Sequence, residues 1–301
     1  MTSLDFGPLV LGGNTFGWTS DRDETFAVLD AFVEAGGRSI DTADSYSAWI
    51  PGNSGGESET LLGEWFTSRG ARDRIVLATK VGSLNGRKGL SATNIRAAVE
   101  DSLRRLRTDH IDVYFAHVDD ESVEQEEYVT AFDALVKAGL VREIGASNFS
   151  SDRLTSAVAS AESSGLARFT VAQDKLNVVE REYATELAPT VEKLGVVQLP
   201  YSSLASGFLT GKYRPGVEVD SPRARGAAGH LKNPRHVALL ETLDDIAAQH
   251  GVGVSAVALA WSRQQPTVAA PIASARTVEQ VPALVESFDL VLTEAELARL
   301  A

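Results

Sequence analysis

Four side chains able to move or steer protons stand at or just beyond the ends of short apolar runs. Asp41 closes RSID (38–41), and Tyr46 follows it in the next turn. Lys80 closes RIVLATK (74–80), and His117 closes IDVYFAH (111–117). Such a set suits delivery of a proton to a carbonyl. A phenol titrates near ~10 and is a weak acid at neutral pH unless its anion is stabilised. A neighbouring ammonium does that, which makes Lys80 the candidate and Asp41 the group that pins it. A histidine donating from one ring nitrogen can orient and polarise the carbonyl oxygen. The set carries no electron source of its own, so the reduction it suits implies a hydride-donating cofactor. Taken singly, each residue has a plainer reading: a turn cap, a loop aromatic, a solvated strand end, a structural histidine. What argues against four plain readings is that all four would fall on one rim.

That rim exists only if the runs are parallel strands. Eight runs alternate with longer segments of helical period: PLVLGG (8–13), RSID, RIVLATK, IDVYFAH, VREIGAS (141–147), FTVAQ (169–173), GVVQLPY (195–201) and TVAAPI (267–272). Between them, Phe26, Leu29, Phe32 and Val33 share a helical face, as do Ile95, Val99, Leu103 and Leu106. Strand–helix alternation demands parallel pairing with right-handed crossovers. Eight such units in a chain of 301 residues match a closed (β/α)8 TIM barrel, an α/β fold that reads here as one domain over residues 1–301. An open doubly wound sheet is the alternative, but Gly12-Gly13-Asn14 is not its glycine-rich fingerprint. Ser91 is placed to cap the helix before IDVYFAH, and Gly139 to end the one before VREIGAS. Irregular stretches at 42–56 and 202–234 follow the second and seventh strands, on the face where barrel active sites are built.

Composition narrows the partners. Lys+Arg 28 against Asp+Glu 41 gives a formal charge of −13, which disfavours nucleic acid and anionic membrane surfaces. Cys 0 removes disulfides, thiol nucleophiles and thiolate metal sites. The remaining histidines show no metal-ligand spacing, so no metal is expected. No apolar stretch is long enough to span a bilayer, and the first residues lack a secretory pattern, so a cytoplasmic location is expected.

The ordered motifs resemble the aldo-keto reductase superfamily, in its longer-chain bacterial and potassium-channel-β-like branch. They are Asp41-Thr42-Ala43-Asp44-Ser45-Tyr46, Ala78-Thr79-Lys80, Asp109 to Tyr114 leading to His117, Gly145-Ala146-Ser147-Asn148-Phe149, Pro200 to Gly207, and Leu209 to Tyr213. The resemblance implies the barrel, with a short N-terminal β-hairpin near residues 3–8 closing its base. It implies Tyr46 as general acid, tuned by Lys80 and Asp41, with His117 orienting the substrate. Ser147, Asn148 and Gln173 match residues that hold a nicotinamide carboxamide, and Tyr201 matches the aromatic stacked under the ring. Ser202, Leu204, Ser206, Gly207, Leu209 and Lys212 match the loop that straps a diphosphate. Gly13, Asn14 and Gln280 complete the cofactor set with Asp41. Ser274 and Arg276 match the pocket for an adenosine 2′-phosphate, so the implied cofactor is NADP(H). Departures from the pattern are Leu284 in place of an adenine-contacting asparagine, Ser203 for a proline, and Asp174-Lys175-Leu176 after Gln173, where a tyrosine normally precedes the asparagine.

Phe16, Trp18 and Trp49 are expected to line an aromatic pocket for a small-molecule carbonyl or alcohol. Residues 214–234 read as a flap. Two other functions fit parts of the set. A Schiff-base aldolase also mounts a lysine at a barrel-strand end. A slow redox-sensing subunit would bind NADPH through the same residues.

Overall fold

The computed structural model describes residues 2–221 and 223–301. Eight parallel strands form one curled sheet: β1 (Val10–Gly12), β2 (Ser39–Asp41), β3 (Val76–Val81), β4 (Ile111–Ala116), β5 (Val141–Ser147), β6 (Val171–Gln173), β7 (Val197–Gln198) and β8 (Ile272–Ala273). They follow one another in chain order, and β8 pairs back onto β1 with Val10 level with Ile272. The last seam is bonded as well: the Gln198 N–H donates to the Thr267 carbonyl at 2.8 Å and the Ala269 N–H to the Gln198 carbonyl at 2.9 Å. The sheet is therefore a closed α/β barrel, and its strands are the eight runs read from the sequence.

Helices α1 (Arg22–Glu34), α2 (Glu57–Arg69), α3 (Ala92–Leu106), α4 (Gln125–Lys137) and α5 (Ser151–Ser163) follow the first five strands. Asp21, Ser91 and Ser150 accept the third-residue N–H of α1, α3 and α5, satisfying a donor that would otherwise be orphaned. Gly139 takes φ 73° after α4. Where α2 crosses α3, a Cβ on Gly63 would lie 2.0 Å from the Arg105 carbonyl oxygen, so only glycine lets the helices touch. Short helices follow β6, namely α6 (Glu182–Glu186) and α7 (Ala188–Lys193). After β7 come α8 (Ala224–Leu231), α9 (Pro234–His250) and α10 (Val254–Arg263), and after β8 come α11 (Val281–Val285) and α12 (Glu294–Arg299).

The hairpin expected at residues 3–8 is absent. Gly7 sits at φ 69° and Pro8 cannot donate to a ladder, so this stretch does not pair as a strand. It still closes the base. Phe6, 4% exposed, packs into the barrel interior with Val10, Val113, Phe115, Val171, Leu199 and Ile272, and its carbonyl accepts from Ser39 Oγ at 2.7 Å. The small hairpin that does form pairs Ser83–Leu84 with Arg87–Lys88, beyond the end of β3. The segment read as a flap is only partly irregular: its second half is α8, seated through buried Ala227.

Strand parity carries this interior to the upper rim. Side chains alternate between faces with a period of two. The inward Ala78 is followed by Lys80, Phe115 by His117, Val171 by Gln173, Leu199 by Tyr201 and Ile272 by Ser274. Core positions thus become polar positions at the C-terminal mouth.

Candidate active site

The mouth holds a cavity of about 630 Å³. Tyr46 and His117 stand at one end, and Arg276 with Gln280 also line it. Lys80, 1% exposed, lies beneath the tyrosine. Its Nζ donates to Asp41 Oδ2 at 2.6 Å, to the Thr42 carbonyl at 2.7 Å and to the Tyr46 hydroxyl at 2.8 Å. The Tyr46 hydroxyl donates to the same Asp41 oxygen at 3.2 Å. Asp41 Oδ1 accepts from Gln173 Nε2 at 2.8 Å, a link that sequence reading did not provide.

The electrostatics differ from the simple expectation of a phenol made acidic by its lysine. Burial, then the Asp41 carboxylate, hold the Tyr46 phenol well above its ordinary pKa. Asp41 already offsets the charge of Lys80, so the resting phenol keeps its proton while an ammonium waits 2.8 Å from its oxygen. Burial also lowers the Lys80 pKa, against the pull of Asp41. With three hydrogen bonds engaging an enclosed Nζ, Lys80 offers no accessible amine for an imine, and the aldolase reading loses its nucleophile. Burial, with Lys80 adding to it, pushes the His117 pKa down to about 3. Its imidazole is neutral at physiological pH, with Nδ1 3.4 Å from Ser45 Oγ.

The next part of the wall is a linked clamp. Asn148, at φ 58°, donates from Nδ2 to the His117 carbonyl at 3.0 Å and to Ser147 Oγ at 2.9 Å. Its Oδ1 accepts from the Tyr201 hydroxyl at 2.8 Å. Beyond Tyr201 the chain turns through Ser202, Ala205 and Ser206 at φ 56°, 46° and 54°, with Gly207 at φ 91°. Successive left-handed residues bend a loop around a concavity and suit backbone anion binding. Ser202, Leu204, Ser206, Gly207 and Lys212 line the cavity there. At the remaining end, Ser274 Oγ donates to Asn14 Oδ1 at 2.7 Å, and Gln280 Oε1 accepts the Arg276 N–H at 3.0 Å.

Some expected residues lie elsewhere. Phe16 is fully buried in the core beneath the helices, so it packs rather than lining the pocket. Its backbone explains this: Phe16 bridges Ser20, and its carbonyl accepts from Ser47 Oγ, turning the ring inward. Gly13 and Leu209 are buried behind the lining, Gly13 against Ser58, whose Oγ donates to its carbonyl at 2.8 Å. Trp18 lines the cavity, and Trp49, 50% exposed, flanks it edge-to-face at 5.6 Å from Trp18 and 6.3 Å from Tyr46. Leu284 is buried in the core, as its apolar character requires.

Several lining residues escaped sequence reading, and one of them is charged. Arg223, immediately before α8, shares the cavity wall with Arg276. Burial and the charge of Arg276 lower its pKa from the usual guanidinium value. Among the described residues, neither arginine has a carboxylate partner. The available cue was an arginine after a Ser-Pro dipeptide in a basic stretch, which has no periodicity to place it.

Comparison with known proteins agrees with this architecture. The aldo/keto reductase family matches residues 8–301, and the chain belongs to that family. It is 34% identical over 300 residues to the uncharacterized oxidoreductase YrpG of Bacillus subtilis, covering 97% of this chain and 90% of that one. It is 31% identical over 326 residues to protein tas of Escherichia coli, covering 99% and 94%. It is 32% identical over 314 residues to the norsolorinic acid reductase stcV of Emericella nidulans, covering 99% and 78%. The protein is thus an oxidoreductase of the aldo/keto reductase family. No helix among the described residues is long and apolar enough to cross a membrane.

Proposed function

We propose that the chain acts as one barrel domain that reduces aldehyde or ketone groups of small molecules, with NADPH as reductant and Tyr46 as proton donor. The observation that carries this reading is the Lys80–Tyr46–Asp41 cluster opening into a cavity also lined by two guanidiniums that have no carboxylate partner among the described residues. The residues present fit the cofactor. Ser147, Asn148 and Gln173 offer amide and hydroxyl partners, Tyr201 an aromatic face, the left-handed turn a phosphate cradle, and Arg223 with Arg276 a dianion site. When bound, such a cofactor supplies the hydride.

The protein's part is the proton. A carbonyl oxygen between Tyr46 and His117 accepts hydrogen bonds from the phenol and the neutral imidazole. As negative charge builds on that oxygen, the phenol proton transfers to it. Lys80 Nζ stabilises the phenolate at the moment it forms, acting on the transition state rather than on the resting acid. Trp18 and Trp49 favour an aromatic or apolar body on the substrate. Two relatives support that choice: one is named a norsolorinic acid reductase and another a putative aryl-alcohol dehydrogenase. Tyr46→Phe tests the role. It should lower kcat by about 10²-fold or more while NADPH binding survives. A variant that keeps wild-type kcat under conditions where chemistry limits the rate would remove Tyr46 from the mechanism.

A further inference from the structure

Asp174, directly after Gln173, opens the run in which Leu176 stands where the family pattern has a tyrosine before the asparagine. It lines a second cavity, of about 410 Å³, which meets the main one at Tyr201. Asp174 Oδ1 accepts the backbone N–H of Asn148 at 3.1 Å, and its main-chain carbonyl accepts the Tyr201 N–H at 3.1 Å. One residue therefore holds both halves of the clamp. Asn148 needs such a hold. It sits at φ 58°, a conformation that costs a non-glycine residue energy, and its side chain bridges the His117 carbonyl, Ser147 Oγ and the Tyr201 hydroxyl.

We propose that Asp174 is a positioning residue for the nicotinamide clamp, its ionised carboxylate fixing Asn148 and thereby Tyr201, so that cofactor affinity rises when this carboxyl ionises. The inference rests on the cofactor reading above. No cation pairs with Asp174 among the described residues. Lys175 on the same turn is engaged by Glu180 at 3.0 Å. Helix α6 presents Glu182, Glu186 and Tyr183 to the cavity, and the Tyr183 hydroxyl is bonded to Thr267. The start of α5 contributes only Ser150 and Ser151, and β7 leads into Tyr201. Burial without a counter-charge raises the Asp174 pKa to about 7, opposed only by the Asn148 N–H. His117, pushed to about 3, does not titrate in that window, and neither does Tyr46. Asp44 does, at about 7, beside Lys80, and it is untouched by a change at Asp174.

The sign follows from the acceptor. A carboxylate holds an N–H more strongly than a neutral carboxyl does, so affinity is full above the Asp174 pKa and falls as pH drops through it. Titrating wild type and D174N with NADH and NADPH, read by tryptophan fluorescence, tests this. NADH lacks the 2′-phosphate, whose own pKa near ~6 would blur the NADPH profile. Wild type should bind NADH about fivefold more tightly at high than at low pH across the neutral range, the difference between charged and neutral acceptors. D174N should bind at the weaker level throughout, with no step across the neutral range. A wild-type NADH profile without a step overturns the proposal and requires no variant to fold. D174N profiles superimposable on wild type overturn it too. If wild type binds neither nucleotide at any pH, the cofactor reading itself fails. If it binds both without a step, only the role of Asp174 does.

Discussion

The pairing of Arg223 with Arg276 makes cofactor preference the sharpest quantity to perturb. Two guanidiniums on one cavity wall, with no carboxylate partner among the described residues, repel each other in the free protein. That arrangement persists at a net cost unless a dianion bridges them. Each arginine that binds a phosphate contributes a charge-assisted hydrogen bond of about 1.5–3 kcal/mol, or roughly 10- to 100-fold in affinity. R276A and R223A should each weaken NADPH binding by roughly that factor and leave NADH within about twofold. Because both contacts meet one phosphate, the double variant should lose less than the sum of the single losses. R223A should also raise thermal stability slightly without cofactor, since the repulsion goes with the side chain. Fluorescence titrations at one fixed ionic strength check the affinities, because salt screens such contacts. Equal losses for NADH and NADPH in R276A would refute the assignment. So would a wild-type protein that prefers NADH.

Two further outcomes follow from the buried charges. Lys80→Met strands Asp41, 2% exposed, without its counter-ion. Denaturant unfolding should show a loss of about 3–5 kcal/mol alongside lost turnover, and an active variant of wild-type stability would contradict the cluster as described. Asp44, whose Oδ1 is buried without a hydrogen-bond partner among the described residues, has its pKa raised from 3.8 to about 7 by burial and by Glu59. The folded protein therefore binds a proton that the unfolded chain releases between those values, and stability falls as pH rises through that window. Asp44→Asn should abolish this slope and exceed wild type above neutrality by at most about 4 kcal/mol, measured as unfolding free energy at mildly acidic and mildly alkaline pH.

What the sequence made legible follows from periodicity. Eight apolar runs and a two-residue alternation place Lys80, His117, Gln173, Tyr201 and Ser274 at one mouth, because each continues the inward parity of its strand. The readings that failed had no period behind them. The hairpin at residues 3–8 is expected from the family resemblance alone, but Gly7 and Pro8 set the backbone, and Phe6 closes the base as a plug. Phe16 after β1 looks the same in sequence whether its ring faces pocket or core; its bonded turn decides for the core. Arg223 comes from a stretch whose path depends on where α8 docks, and α8 docks through Ala227, a residue with no signal of its own.

Couplings between residues were less legible still. Asp41 shares its carboxylate between two jobs: Oδ2 receives Lys80 and Tyr46, while Oδ1 receives Gln173. Gln173 adjoins Asp174, and Asp174 holds Asn148, which in turn holds Tyr201 and the carbonyl of His117. The cluster proposed to donate the proton and the clamp proposed to hold the nicotinamide are therefore one linked chain, joined through the Gln173–Asp174 peptide bond. A sequence displays the members of that chain in order of position. The order in which they constrain one another depends on which oxygen faces which donor, and only the closed barrel sets that.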